Sequence, residues 1–485
     1  MSKGLHTALI LVLLSVFGCS SMQEYVAPPV PSLEDEVAAF KPTQPQRWTL
    51  SNGLTVLYLK DDELPIVSGK LFVRGGSLWA TNFPTGAAGA MADQMRQGGA
   101  GSRSADALDL ELEKLAATVS SSMSSEFGAV SFAGLSSDID RIFPIFADVA
   151  LRPRFEEDRL ALWKGQSLES IRRRKEDPTT VTSIAFMQLL YGDTPYGRVV
   201  MERDVAAISR ADFVALHARF VRPDDAILVV TGRVEQQQVA ALVEKHLGAW
   251  SARGTQLSAP PPVEYQPKPG VYFITLPFAQ ASVQMGQLGV PRLTPDYPQI
   301  DLFNEIFGAS GFGSRLMHRV RTELGLSYGI YGGISPGVVR GVNYIFLQTK
   351  SDSVFAAINE SIGVLKTMQE APPTSKELAE KMAAIQNSYV FNFDSPQDIA
   401  GRKARLELLK YPNDYDQSYL AKIEGVSPEG VVQVAQTRWD TSQFVIVVVG
   451  NENAFTKLSS AMQEQGSPLG SFELRKLGFK SAVIQ

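Results

Sequence analysis

Ile208-Ser209, then Phe213, Leu216 and Phe220, then Ile227-Leu228-Val229-Val230 and Gly232, is the stretch on which the fold turns, because it returns. Val426-Ser427, then Val431 and Val434, then Val445-Ile446-Val447-Val448 and Gly450 repeat it 218 positions further on, from 209 to 427 and from 232 to 450. In both copies the serine reads as a helix N-cap, whose side-chain oxygen satisfies free amides of the first turn. The unbroken β-branched runs read as strands buried on both faces. A constant offset at several landmarks points to duplication, and two copies are too few for a solenoid.

Working outward, Trp48 to Tyr58 gives two strand-like runs around Asn52-Gly53, a hairpin signal. A further strand from Ile66 ends at Gly75-Gly76, helical periodicity covers 87–95, 105–115, 139–150 and 156–175, and 118–134 alternates as paired strands. The proline run Ser258-Ala259-Pro260-Pro261-Pro262 to Pro267-Lys268-Pro269-Gly270 cannot feed a strand ladder and reads as the linker between halves. Hairpins followed by paired helices predict an α+β fold of two duplicated halves, each a mixed, antiparallel-rich sheet with helices packed on it, not a doubly wound nucleotide-binding sheet.

At 485 residues, with 44% hydrophobic and 20% charged residues, the chain is that of an ordinary globular protein of at least two domains. A formal net charge of −5 argues against a nucleic-acid partner. The run Arg172-Arg173-Arg174-Lys175, beside Glu176 and Asp177, reads as a solvated helix face.

At the N-terminus, Lys3 precedes the apolar run 8–17, too short for the roughly 20 residues of a membrane span but suited to a signal peptide. Val16-Phe17-Gly18-Cys19 resembles a bacterial lipobox, although Phe17 is bulkier than usual there. The resemblance implies lipidation at Cys19, the only cysteine of the chain, and Ser20 in place of aspartate implies outer-membrane sorting. The expected organisation is a lipoprotein signal peptide over 1–18, a Pro-rich tether over 19–43, halves over 44–257 and 271–475, and a linker over 258–270.

Several segments, in order, resemble the insulinase/pitrilysin-type metallopeptidases, the inverzincins, and their processing-peptidase-like subfamily. They are Ser51-Asn52-Gly53-Leu54-Thr55-Val56, Val73-Arg74-Gly75-Gly76-Ser77, Thr85-Gly86, Gly98-Gly99 and Leu189 to Gly197, where Thr194 replaces a histidine. In the second half they are Gly311-Phe312-Gly313-Ser314-Arg315-Leu316 and Arg321-Thr322-Glu323-Leu324-Gly325-Leu326-Ser327-Tyr328. Active members carry His-x-x-Glu-His on a helix, two imidazoles one turn apart for zinc with the glutamate as general base, and a distant glutamate as third ligand. Here the histidine positions fall on Gly89 and Asp93 and the base on Ala92; slid by one residue, they fall on Ala90, Asp93 and Gln94. The distal ligand falls on Ser170, beside Glu169. His217, His246 and His318 stand at no metal-binding spacing and read as surface or packing residues.

No metal is therefore expected on this chain. The resemblance implies that Arg321 and Tyr328 hold the substrate carbonyl and its developing charge, a task that suits a guanidinium fork and a phenol. The alternative is a helix-surface cation and an edge-strand packing residue. The Gly-rich run 308–313 reads either as a close backbone approach to extended peptide or as a mobile loop. The leading expectation is an envelope-bound, non-catalytic, substrate-binding subunit of a two-chain zinc metallopeptidase, inactive alone, whose zinc sits on a homologous partner. The alternative is a structural or peptide-binding pseudo-peptidase without a catalytic partner. An active enzyme with ligands elsewhere, or an unrelated lipoprotein, fits the ligand count or the ordered motifs poorly.

Overall fold

The computed structural model describes residues 42–252 and 255–479. Cys19, the expected signal peptide and nearly all of the expected tether lie outside these residues. The first sheet contains β1 (Gln46–Thr49), β2 (Thr55–Lys60), β3 (Ile66–Arg74), β4 (Thr118–Met123), β5 (Phe127–Leu135) and β6 (Ala226–Gly232), in the order β1-β2-β6-β3-β5-β4. The second contains β7 (Gly270–Thr275), β8 (Gln280–Leu288), β9 (Ser327–Ser335), β10 (Val342–Lys350), β11 (Val445–Gly450) and β12 (Leu474–Leu477), in the order β12-β7-β11-β8-β10-β9. The expected α+β class with two duplicated halves is the observed one.

The repeated stretch forms the same unit twice. Ser209 accepts from the Asp212 amide and Ser427 from the Gly430 amide, each capping the helix that leads into a central strand. Those strands, β6 and β11, are buried at every residue. Each pairs in parallel with the first long strand of its half, β2 or β7, and antiparallel with the next, β3 or β8.

Full burial of β6 and β11 needs cover on both sheet faces, and the second cover comes from an exchange that the sequence reading did not foresee. On one face each sheet packs against helices of its own half. In the first these include α1 (Ala87–Gln97), α2 (Ile139–Leu151) and α3 (Glu157–Arg173). On the other face, α4 (Pro178–Tyr191) crosses from the first half onto the second sheet, setting Val181, Ala185, Phe186 and Leu190 against Tyr272, Ile274, Val445 and Val447. The return helix α5 (Pro396–Leu408) sets Ala400, Ala404 and Leu408 against Leu57, Phe72, Ile227 and Val229 of the first sheet. Each fully buried valine, leucine or isoleucine in these layers contributes roughly 1.5–3 kcal/mol.

Polar contacts fix the exchange. Gln348 donates to Thr179 at 3.0 Å, Ser68 and Thr231 donate to the Gln397 side-chain oxygen at 3.1 and 2.8 Å, and the Tyr191 hydroxyl donates to the carbonyl of Arg340 at 2.9 Å. The proline-rich connection is also pinned, since Arg74, Trp79 and Tyr196 donate to the carbonyls of Leu257, Ser258 and Pro261. Among the described residues no helix is long and apolar enough to cross a membrane.

Candidate functional site

In the first half the positions that would carry a metal lie on α1 and α3. Gly86 opens α1 at a φ of 89°, and the helix then lies along the edge strand β4, where the Ser121 hydroxyl donates to the Ala92 carbonyl at 2.5 Å. Ala90, Ala92 and Gln94 are each about 99% buried, while Gly89 and Asp93 share the less buried face. A side chain added at Gly89 would meet nothing within 4 Å. Ser170 and Glu169 on α3 are exposed.

These positions do not fit a metal. Gly89, Ala90 and Ala92 offer no side-chain donor atom. Asp93 is already used, because the Trp163 indole on α3 donates to its Oδ2 at 3.2 Å. Burial raises the Asp93 carboxyl above the usual aspartate range, and the indole bond only partly offsets this. A carboxyl that resists ionisation is a poor ligand. The Gln94 amide is buried with neither its nitrogen nor its oxygen hydrogen-bonded. No group of three or more His, Cys, Asp or Glu among the described residues has metal-binding geometry. His217 bonds to the Ala150 carbonyl at 2.8 Å, His246 packs against Phe143, and His318 sits on the surface near Glu323.

The basic run that follows on α3 is less solvated than its sequence suggests. Arg172 pairs with Glu202 and Arg173 with Glu176, but Arg174 turns inward to donate to the Val200 carbonyl at 2.8 Å. Burial holds its guanidinium below the usual arginine range.

The second half presents a different surface. A helix, α6 (Tyr297–Asn304), widens into a π-type turn over Glu305–Ala309, a tight turn follows over Gly311–Gly313, and a second π-type turn over Met317–Glu323 runs into β9. Single widened turns of this kind occur frequently at functional sites. Glycine is required where this segment lies on β9, since a Cβ on Gly308 would fall 2.5 Å from both the nitrogen and the oxygen of Gly332. The Gly-rich run is not a free loop. Lys381 donates to the Ser310 hydroxyl at 2.7 Å, that hydroxyl donates to the Glu305 carbonyl at 2.6 Å, and the buried Ser314 hydroxyl donates to the Gly311 carbonyl at 2.7 Å. Beneath it, burial pushes the Asp301 carboxyl up to about 6, against the opposing bond from the Tyr419 hydroxyl at 2.6 Å.

Arg321 lies in the second widened turn, half-buried, with its guanidinium 4.5 Å from the centre of the Phe312 ring and one nitrogen 3.9 Å from the Met317 sulfur. Its carbonyl accepts from the Gly325 amide at 3.0 Å, which turns the chain into β9. Tyr328 follows on β9, the outer strand of its sheet, 58% exposed. Arg321 thus lies partly exposed on a helical turn against an aromatic ring, and Tyr328 lies on an edge strand with most of its surface open. Sequence reasoning missed both Phe312 and Trp163; the one available signal was a large aromatic between two glycines at 311 and 313.

The residues 55–204 match the model of the insulinase family, peptidase family M16, and 207–385 match that of the peptidase M16 inactive domain. Together the two matches span more than half of the chain, which belongs to this family. A solved structure described as a peptidase M16 inactive domain from Pseudomonas fluorescens superposes with a TM-score of 0.77 at 26% identity, over 84% of this chain and 98% of that one. An uncharacterized zinc protease of Mycobacterium bovis is 24% identical over 306 residues, 62% of this chain and 70% of the relative. The beta subunit of the mitochondrial-processing peptidase of Lentinula edodes is 23% identical over 427 residues, 83% of this chain and 89% of the relative.

Proposed function

We propose that this chain is the non-catalytic, substrate-binding subunit of a two-chain zinc metallopeptidase that acts on peptides in the bacterial cell envelope. The zinc and its water-activating glutamate would belong to a homologous partner, and this chain would contribute Arg321 and Tyr328 from its second half. One observation carries the reading: Gly89, Ala90 and Ala92 carry no donor atom and Asp93 is bonded to the Trp163 indole, while Arg321 has no carboxylate partner among the described residues and Tyr328 faces solvent. A guanidinium edge and a phenol hydroxyl are donors suited to a peptide oxygen that gains negative charge in the transition state. Kinship with a relative named as a subunit of a processing peptidase supports division between two chains. Attachment through a lipidated Cys19, with the halves over 44–257 and 271–475 facing the periplasm, completes the proposal.

The test is to extract the native protein in detergent, identify what co-purifies, and assay peptide cleavage by each chain alone and by the pair. A homologue carrying His-x-x-Glu-His, with cleavage only by the pair, is the expected result. Cleavage by this chain alone with about one zinc bound, or a pure chain with no such homologue, overturns it. A Cys19→Ser variant should be released from membranes, and an unacylated mature N-terminus elsewhere would disprove the anchor.

A further inference from the structure

Several arginines of the second half are paired with carboxylates. Arg315 pairs with Glu377, Arg319 with Glu323 and Glu360, Arg402 with Asp416, and Arg438 with Asp296. Arg321, like Arg340 and Arg405, has no carboxylate in salt-bridge range among the described residues, and it differs from those two in lying 4.5 Å from the centre of an aromatic ring, that of Phe312. Its contacts are the Phe312 ring and the Met317 sulfur, both apolar groups that engage the guanidinium without satisfying its N–H donors in full.

Phe312 is equally unusual. It is 69% exposed, although a phenylalanine ring gains most by burial, and it stands at the apex of a turn secured on both sides, through Ser310 and Ser314. Gly311 has a φ of 56°, in the left-handed region that favours glycine, so the backbone there is specialised to set the ring where it stands. A ring fixed in place beneath a planar cation covers one face of it, and the attraction is between the ring's negative face and the positive charge.

We infer that Phe312 is a positioning residue for Arg321: its ring restricts the guanidinium to one plane and leaves the N–H edge directed at an incoming oxygen acceptor of an extended peptide. The inference rests on the proposed role of Arg321 for its consequence, but not for the stacking itself. A carboxylate in place of Phe312 would hold the cation as firmly and occupy the same donors that a substrate oxygen needs. An aromatic face holds it and leaves those donors free. The open groove beside the loop, of about 660 Å³, is walled by Phe312 together with the paired groups Arg315, Arg319, Glu323 and Glu377.

Two measurements on the isolated full-length chain test this separately from the peptidase reading. In the first, phenylglyoxal modification of Arg321 is followed by peptide mapping, with the exposed Arg405 as internal control. Phe312→Leu, which keeps an apolar side chain but removes the π face, should speed modification of Arg321 about 2- to 5-fold, Phe312→Trp should hold it at or below the wild-type rate, and Arg405 should not change. In the second, binding of a fluorescein-labelled library of unstructured decapeptides is measured by anisotropy. Phe312→Leu should weaken it, Phe312→Trp should restore it, and Phe312→Leu should add nothing in an Arg321→Ala background. Equal modification rates in all Phe312 variants overturn the inference. So does a binding loss that persists without Arg321, or that tryptophan fails to rescue. If instead Arg321→Ala alone leaves binding unchanged, it is the substrate-binding reading that fails, and the modification rates still decide whether Phe312 positions Arg321.

Discussion

The helix face of the first half and the turn-and-strand face of the second have diverged in opposite ways. On α1 and α3 the scaffold of a metal site persists while its chemistry does not: Gly89, Ala90 and Ala92 carry no donor, and the Trp163 indole has taken Asp93. On the second face the proposed donors Arg321 and Tyr328 stand beside two widened turns and a pinned glycine loop. A metal site fails when one ligand is lost, because catalytic zinc needs about three protein ligands and an open position. A donor pair tolerates drift in its surroundings, because each donor acts on the substrate directly. Missing ligands on one face and available donors on the other are what the proposed helper role calls for.

The largest effect that would sharpen this contrast lies on the second face. Arg321→Ala or Tyr328→Phe should lower turnover of the reconstituted pair about 100- to 1,000-fold, the usual cost of one oxyanion donor, with assembly and thermal stability nearly unchanged. The double variant should cost less than the product of the singles. Loss of assembly in either single variant would assign these residues to packing instead.

Next in size is the half-buried Asp301 carboxyl on α6. The folded state holds a proton on Asp301 up to about pH 6, whereas the unfolded chain releases it near the ordinary aspartate value. Its favourable contribution is thus fully present below roughly pH 4 and is lost as pH rises through about 6. Asp301→Asn should remove that slope and raise stability at pH 7 by up to about 3 kcal/mol in denaturant unfolding. An unchanged pH profile would show that Asp301 ionises normally.

On the first face, Trp163→Phe should lower stability by about 1–3 kcal/mol at pH 7, since it strips a half-buried carboxylate of its donor, and by less as pH falls, because burial already favours the protonated Asp93 carboxyl. The smallest effect has the opposite sign. Gly89→Ala should stabilise the chain by about 0.5–1 kcal/mol, because the added methyl meets nothing and removes backbone freedom from the first turn of α1. A destabilised Gly89→Ala, or a Trp163→Phe with wild-type stability, would break the view of this face as a closed, metal-free remnant.

Much of the fold was legible because it repeats. The runs 227–230 and 445–448 announced strands buried on both faces, and Ser209 and Ser427 announced the helices before them. What covers the second face was not legible. That α4 and α5 trade halves depends on which of two similar sheets each meets, and no local pattern encodes the choice. At the candidate site, the loss of metal ligands could be read from residue types alone, whichever register of α1 is taken. The Trp163 bond to Asp93 spans 70 positions, and the Phe312 stack depends on a turn whose widened geometry leaves no periodic signature. The expectation of a solvated basic face failed at Arg174 for the same reason, because its inward turn answers to Val200 across a tertiary contact.

On the proposed reading the chain grips peptide with its second half and needs no metal in its first. Anisotropy titration of the labelled decapeptide library against the isolated chain in excess chelator, wild type beside Arg321→Ala, tests it most directly. Binding that chelator leaves intact and that Arg321→Ala weakens about 10-fold or more is the expected result. Binding that chelator abolishes, or that survives Arg321→Ala unchanged, would contradict it.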